Sequence, residues 1–206
     1  MDLKSTYNKI AKDWAKDHAA DDWWIEGTDK FCSLLSPVAT VLDVGCGPGF
    51  KTKYIADKGF KVTGIYFSEK MIETAKDNYP NFDFQVVDVY DVGKFETKFD
   101  AIFAQAVLLH IPKSRVLKVL MDLKSRLNPN GLLYLAVKEI RDNVTEEKIE
   151  KENDYGYEYE RFFSYFDSNE LHDDFRKLDM TIVWENTDSS RPNRSRRWLQ
   201  IIAKKI

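Results

Sequence analysis

Residues 41–50 read VLDVGCGPGF, and this stretch decides the fold. Its first half is a short apolar run typical of a buried strand. Glycines follow at alternate positions, and helix-forming residues resume at Phe50. Because glycine lets the backbone turn sharply and approach a ligand closely, the end of such a strand is a common cofactor position. The stretch therefore predicts the first strand, turn and helix of an α/β fold with a cofactor at the turn.

The spacing of these glycines argues against two common kinds of cofactor. A dinucleotide site has the pattern G-x-G-x-x-G, but here the third glycine comes one residue early and Phe50 stands in its place. A phosphate-binding loop contains Lys followed by Ser or Thr, and this turn has no such pair. Neither a nicotinamide dinucleotide nor a nucleoside triphosphate is therefore the expected ligand.

Strand-like and helix-like segments alternate along the rest of the chain. Strands are predicted at residues 38–44, 61–67, 82–89, 99–107 and 132–140, with helices at 50–58, 69–78 and 112–127 between them. A further helix at 167–178 and two strands at 180–186 and 197–204 complete the pattern. Such alternation predicts a parallel, doubly wound α/β sheet.

The chain length of 206 residues fits a single domain, 1–206, with one core. Residues 1–36 carry an amphipathic helix pattern at 3–18 and a second predicted helix at 24–35, so they are interpreted as an N-terminal helical cap. Residues 141–162 are highly charged, rich in tyrosine and without a clear period, so they are interpreted as an inserted loop or lid.

Composition limits the possible partners and the compartment. Lys and Arg (31) nearly balance Asp and Glu (34), so the net charge of −3 provides no general attraction to nucleic acid or to a membrane. The N-terminus is charged and lacks a signal-peptide run, and Cys32 and Cys46 are the two cysteines. We therefore expect a cytoplasmic protein without membrane association. The histidines and cysteines have no metal-ligand spacing, so no metal site is expected.

Residues 43–49 resemble the first motif of class I methyltransferases that depend on S-adenosylmethionine (SAM), in which an acidic residue precedes alternating glycines. FDAIFAQAVLLHIP (99–112) and RFFSYFDSNEL (161–171) resemble a bacterial branch that acts on small molecules. The resemblance implies a Rossmann-like, doubly wound, seven-stranded and mostly parallel sheet with an antiparallel C-terminal hairpin. It also implies transfer of a methyl group from SAM to a small-molecule acceptor by in-line displacement.

The resemblance further implies a set of cofactor contacts. Asp43 would orient the methionine amino group, directly or through water, and Asp88 would accept a hydrogen bond from the adenine amino group. The alternative for each carboxylate is a local role in capping a turn or a loop. The complete set of expected cofactor-binding residues is Asp43, Gly45, Cys46, Gly47, Gly49, Tyr66, Phe67, Asp88, Val89 and Gln105.

One position departs from the family pattern. Tyr66 stands at the end of the second strand, where the family usually has an acidic residue that accepts both ribose hydroxyls. Three interpretations are open: a tolerated change, a modified SAM or different nucleoside, or a protein that binds SAM or a nucleoside without turnover. Glu69, one helical turn on, is a candidate replacement for the missing carboxylate, or simply a favourable charge at a helix N-terminus.

Candidates for acceptor chemistry lie in the later part of the chain. His110 follows the fourth strand and is the candidate base for removing a proton from the acceptor, with a purely structural role as the alternative. Residues predicted to contact the acceptor are Tyr155, Tyr157, Tyr159 and Lys138.

The segment Arg191–Arg197 (RPNRSRR) is the one compact basic run. A solvated hairpin turn is the simpler interpretation, and an RNA-directed methyltransferase is the alternative.

Overall fold

The computed structural model describes residues 2–140, 145–187 and 198–206. The Arg191–Arg197 run lies outside these residues. The helices are α1 (Leu3–Asp17), α2 (Ile25–Ser33), α3 (Phe50–Asp57), α4 (Glu69–Asn78), α5 (Lys113–Ser125) and α6 (Ser168–Lys177). The strands are β1 (Thr40–Val44), β2 (Lys61–Tyr66), β3 (Asp83–Val86), β4 (Phe99–Gln105), β5 (Leu127–Lys138), β6 (Glu147–Glu152), β7 (Tyr159–Ser164), β8 (Met180–Thr187) and β9 (Trp198–Lys205).

Seven of these strands form one sheet in the order β3-β2-β1-β4-β5-β9-β8. Strands β1 to β5 are parallel, whereas β9 runs antiparallel to both β5 and β8. The predicted doubly wound sheet with an antiparallel C-terminal hairpin is therefore confirmed. The strand order reverses between β1 and β4, which places a ligand crevice at the carboxyl ends of these two strands.

The segment interpreted as an inserted loop forms a β-hairpin in its described part. β6 pairs antiparallel with β7, and Glu150 lies opposite Arg161. The sequence did not indicate this pairing, because β6 is almost entirely charged and the aromatic residues of β7 were interpreted as part of the core. The hairpin packs on α1, where the Lys9 ammonium lies 4.3 Å from the centre of the Tyr157 ring. Its role as a lid remains a prediction.

The core on the α2 side of the sheet is built on stacked aromatic rings. The rings of Phe103 and Tyr134 are parallel at a centroid distance of 4.5 Å, and Phe31 from α2 packs against both. The Tyr134 hydroxyl donates a 2.8 Å hydrogen bond to Gln200, so its buried polar group is satisfied.

Among the described residues, no helix combines the length and apolar character needed to cross a bilayer.

Gly27 in α2 lies directly against this hydrogen bond. A Cβ atom there would be 1.9 Å from Gln200 Oε1 and 2.6 Å from the Tyr134 hydroxyl. Alanine normally stabilises a helix by about 1 kcal/mol relative to glycine. We nevertheless expect Gly27→Ala to lower the free energy of unfolding by about 1–3 kcal/mol, because the buried pair must separate. Urea unfolding with Lys30→Ala as the control in the same helix tests this; equal or greater stability of Gly27→Ala would contradict it.

Candidate active site

A cleft of about 1090 Å³ opens at the carboxyl ends of the central strands. Helix α1, the α1–α2 connection and β7 form its other walls. Ten of the predicted site residues line it: Gly45, Cys46, Gly47, Tyr66, Phe67, Asp88, Val89, Gln105, His110 and Lys138. Asp43, Gly49, Tyr155, Tyr157 and Tyr159 lie outside the lining.

The glycine turn is folded in conformations that other residues rarely adopt. Gly45 and Gly49 have φ angles of 79° and 88°. The backbone amides of Gly45 and Cys46 both donate to the Ile65 carbonyl, at 2.8 and 3.0 Å, which ties the turn to β2. A Cβ on Gly45 would be 2.4 Å from the Val107 side chain. The turn is therefore fixed close to the loop that follows β4, and only glycine fits at position 45.

Asp43 lies behind this turn and is 1% exposed. Its carboxylate accepts a 2.6 Å hydrogen bond from the Thr52 hydroxyl. Burial raises the pKa of Asp43 to about 6, against the opposing effects of Thr52 and of the nearby Lys51 ammonium. Lys51 itself lines the cleft, although the sequence analysis gave it no role.

The residues predicted to contact the adenosine part of the cofactor lie at or just after the ends of β2 and β3. Asp88 lines the cleft and accepts a 3.0 Å hydrogen bond from the Tyr90 amide. The Tyr66 ring stacks on Phe67 at 4.8 Å, and burial raises the pKa of the Tyr66 phenol well above its ordinary value.

Glu69, the candidate replacement for the carboxylate missing at Tyr66, is bound by side chains of α1. It lies outside the cleft lining, within 2.5 Å of the Lys4 ammonium and 3.2 Å of the Asn8 amide. Its contact with Lys4 is the main cause that lowers the pKa of Glu69 to about 2. Its position favours the alternative of a charge at the N-terminus of α4.

Gln105 is the clearest sign that the cleft is built for a polar ligand. Its side chain is 4% exposed at the carboxyl end of β4 and lines the cleft. Within the described parts of the chain, neither its amide nitrogen nor its amide oxygen has a hydrogen-bond partner. Leaving such groups buried and unpaired costs about 1–3 kcal/mol. A ligand with a donor and an acceptor would recover this cost.

His110 is held by hydrogen bonds at both ring nitrogens. Its Nδ1 lies 2.7 Å from the Phe162 carbonyl, which can only accept, so Nδ1 carries the proton. Its Nε2 therefore accepts from the Tyr7 hydroxyl at 2.8 Å. Burial is the main cause that lowers the pKa of His110 to about 3. In this arrangement the imidazole is neutral, its lone pair is occupied and it is a weak base.

Several cleft residues escaped the sequence analysis because they come from distant parts of the chain. Tyr7 and Trp14 lie on the apolar face of α1, a spacing that indicated only a buried helix face. His18, for which the sequence favoured a solvent-facing helix end over a place at the cleft, lines the cleft and stacks on Trp14 at 4.0 Å. Arg161 lines the cleft from β7 and pairs with Glu152 through two nitrogens. No pattern of neighbouring residues could have indicated the contact between Arg161 and Glu152, because it depends on the pairing of β6 with β7.

The three predicted acceptor tyrosines are engaged with each other and with α1. The rings of Tyr155 and Tyr159 stack at 5.6 Å, and the Tyr157 hydroxyl donates a 2.7 Å hydrogen bond to Asp13. Tyr159 donates to Asp154 at 3.0 Å. Their placement favours a role in fixing the hairpin on α1.

The raised pKa of Asp43 predicts a pH-dependent cost in stability. Its folded-state pKa of about 6 exceeds the ordinary value of 3.8, so the wild-type protein loses stability as pH rises between these values. We expect Asp43→Asn, which keeps an acceptor for Thr52, to be about 3 kcal/mol more stable at pH 8 and equally stable near pH 4. Urea unfolding at both pH values measures this, with the exposed Asp57→Asn as control. The same change at both pH values would contradict it.

Comparison with known proteins places this geometry in a family context. Residues 41–131 match a family described as a methyltransferase domain. The ubiquinone biosynthesis O-methyltransferase of Coxiella burnetii (strain Dugway 5J108-111) is 30% identical over 135 residues, which cover 57% of this chain and 57% of that protein. The corresponding enzyme of Haemophilus ducreyi is 31% identical over 141 residues, covering 57% and 59%. The matched part thus spans less than two-thirds of these relatives.

Solved structures share the fold over nearly the whole chain. The 1,6-didemethyltoxoflavin-N1-methyltransferase of Burkholderia thailandensis, solved with S-adenosylhomocysteine, has a TM-score of 0.76 at 20% identity and covers 98% of this chain and 87% of its own. Magnesium protoporphyrin IX methyltransferase from Synechocystis, solved with SAM, has a TM-score of 0.73 at 17% identity, with 99% and 95% covered. The [4+2]-cyclase SpnF has a TM-score of 0.74 at 17% identity, with 98% and 94% covered. Residues 41–131 are thus similar to a methyltransferase domain, and the chain shares the fold of these solved structures.

Proposed function

We propose that the cleft binds SAM and that the protein transfers its methyl group to a small-molecule acceptor by in-line displacement. The observation that carries this proposal is the buried amide of Gln105, which has no hydrogen-bond partner among the described residues and lines the cleft next to the glycine turn. A ligand carrying both polar groups and apolar surface fits such a site.

The residues around the turn fit the parts of SAM. Lys51 offers a cation for the methionine carboxylate, and Asp43 behind it offers a carboxylate for the amino group, directly or through water. Gly45 and Gly47 leave the space that the methionine and ribose need. We assign the adenine to Asp88 and the backbone of Val89, and the ribose to Tyr66, as the family resemblance implies; all three residues line the cleft.

SAM supplies an activated methyl group on a sulfonium centre. The contribution of the chain is to align the acceptor with that group and to exclude water, which lowers the barrier without a strong base. Helix α1 and strand β7 cover the cleft for this purpose. We propose that His110 holds the Tyr7 hydroxyl in place, because its own lone pair is occupied.

A small-molecule acceptor is favoured by the size of the cleft, about 1090 Å³, and by the O-methyltransferases to which the chain is similar. We assign Lys138, which lines the cleft, to binding the acceptor. Tyr155, Tyr157 and Tyr159 are assigned to holding the hairpin on α1. Both cysteines are buried and unpaired, which is compatible with the cytoplasmic location expected from the sequence.

The direct test of the function is turnover. Purified protein is incubated with SAM and a panel of phenols, carboxylic acids and amines, and S-adenosylhomocysteine and methylated products are measured by mass spectrometry. We expect stoichiometric formation of both products with at least one acceptor class. Tight binding of SAM with no methylated product across the panel would instead favour a non-catalytic binding protein.

Replacing Gln105 with an apolar residue should raise the stability of the ligand-free protein and lower its affinity for the cofactor product. We expect Gln105→Leu to stabilise the ligand-free protein by about 1 kcal/mol, because it removes unpaired polar groups, and to weaken S-adenosylhomocysteine binding by about 5- to 150-fold. The matched control is Gln200→Leu, which removes the partner of Tyr134. The control should destabilise the protein and leave the affinity unchanged. Calorimetric titration and urea unfolding give both readouts, and unchanged affinity of Gln105→Leu would contradict the placement of the ligand.

A further inference from the structure

We infer that Asp21, in the connection between α1 and α2, binds the ammonium group of the amino-acid end of SAM, while Lys51 binds its carboxylate. The inference rests on the proposed function and adds a binding residue to the same site. Asp21 lies outside residues 41–131, the segment that is similar to a methyltransferase domain. Together the two side chains recognise this end of the cofactor by both of its charges.

Lys51 places a positive charge beside the glycine turn. It is the second residue of α3, which begins directly after Gly49, and it lines the cleft. Its ammonium lies 5.4 Å from the centre of the Trp24 ring, and no carboxylate of the described residues lies at ion-pair distance from it. The positive end of the α3 dipole adds to its charge. This part of the cleft therefore favours a carboxylate.

A cation alone does not suit an amino acid, because the ammonium and the carboxylate are bonded to the same carbon. The charge that attracts the carboxylate repels the ammonium. A negative group close to Lys51 removes this conflict. Burial lowers the pKa of Lys51, and the charges of Asp43 and Asp21 oppose that effect, so both carboxylates are near enough to act on the same ammonium.

Of these two carboxylates, only Asp21 lines the cleft. Asp43 is 1% exposed behind the turn, and its carboxylate accepts a 2.6 Å hydrogen bond from Thr52. Asp21 is partly exposed, and one of its oxygens accepts a 3.4 Å hydrogen bond from the Trp23 indole nitrogen. Its other oxygen has no hydrogen-bond donor in the part of the chain that the structure describes. Asp21 is therefore the carboxylate that can meet a ligand at the cleft surface.

Packing of α1 holds Asp21 near the glycine turn. A Cβ atom on Gly47 would be 3.6 Å from the Trp14 ring, so this ring lies over the turn. His18 stacks on Trp14 at 4.0 Å, and the Asp21 amide donates a 3.3 Å hydrogen bond to the His18 carbonyl. These contacts bring the start of the α1–α2 connection to the part of the cleft where the methionine is proposed to bind.

The experiment compares three ligands by calorimetric titration. S-adenosylhomocysteine carries both charges, its desamino analogue keeps only the carboxylate, and 5′-methylthioadenosine lacks the whole amino-acid end. We expect Asp21→Asn, which keeps an acceptor for Trp23, to weaken S-adenosylhomocysteine binding by about 5- to 50-fold and to leave the other two affinities unchanged. Lys51→Gln should weaken binding of both ligands that carry the carboxylate.

The matched control is Asp22→Asn, which removes the same charge from the next residue. Asp22 is exposed and lies outside the cleft lining, so all three affinities should stay the same. The control separates a contact with the ligand from a general change in the charge of this connection.

The remaining outcomes distinguish this inference from the proposed function. Unchanged affinity of Asp21→Asn for S-adenosylhomocysteine would overturn the inference alone. An equal loss for all three ligands would show a structural role, and an equal loss for the two carboxylate-bearing ligands would show that Asp21 acts only by holding Lys51; either result would also overturn it. Failure of the wild-type protein to bind S-adenosylhomocysteine would overturn the proposed function, and this inference with it.

Discussion

The left-handed glycine turn between β1 and α3 is the constraint on which the rest of the site depends. Gly45, Gly47 and Gly49 all have positive φ, and a side chain on the first of them would overlap Val107 after β4. The turn therefore sets how closely the ends of the two central strands approach each other. That approach brings Gln105, two residues beyond the Phe103 that pairs with Asp43, to the same cleft as the turn. The buried amide of Gln105, which has no partner among the described residues, is costly in the free protein, and the proposed ligand would offset this cost.

The fold was predictable because its signals are local. Apolar runs with glycine and proline boundaries identified all seven strands of the main sheet, and the glycine turn with its preceding Asp43 indicated which strand ends form the cleft. The hairpin of β6 and β7 was not predictable, since its pairing of Glu150 opposite Arg161 joins a charged segment to an aromatic one. The same reason hid Tyr7 and Arg161 as site residues: they reach the cleft only through packing of α1 and the hairpin. The protonation of His110 likewise depends on a carbonyl 52 residues away in sequence.

The cleft divides into two parts with different chemistry. Toward β2 and β3 it has aromatic rings and the carboxylate of Asp88, a surface suited to a nucleoside. Toward β5 and β7 it has the rings of Phe163 and Trp198, the ammonium of Lys138, and Arg161 in its ion pair with Glu152. The fold alone does not determine the reaction, because a cyclase has the same architecture. The reaction therefore depends on the side chains that line the cleft, among them Gln105 and the hydrogen-bonded pair of Tyr7 and His110.

The most direct test of this account is a crystal structure of the protein with S-adenosylhomocysteine. We expect the ligand in the cleft with its adenine near Asp88, its ribose against Tyr66 and its amino-acid end at the glycine turn, hydrogen-bonded to the Gln105 amide. The sulfur should face the part of the cleft lined by Lys138. A ligand bound elsewhere, or bound in the cleft with the Gln105 amide still unpaired, would contradict the central claim.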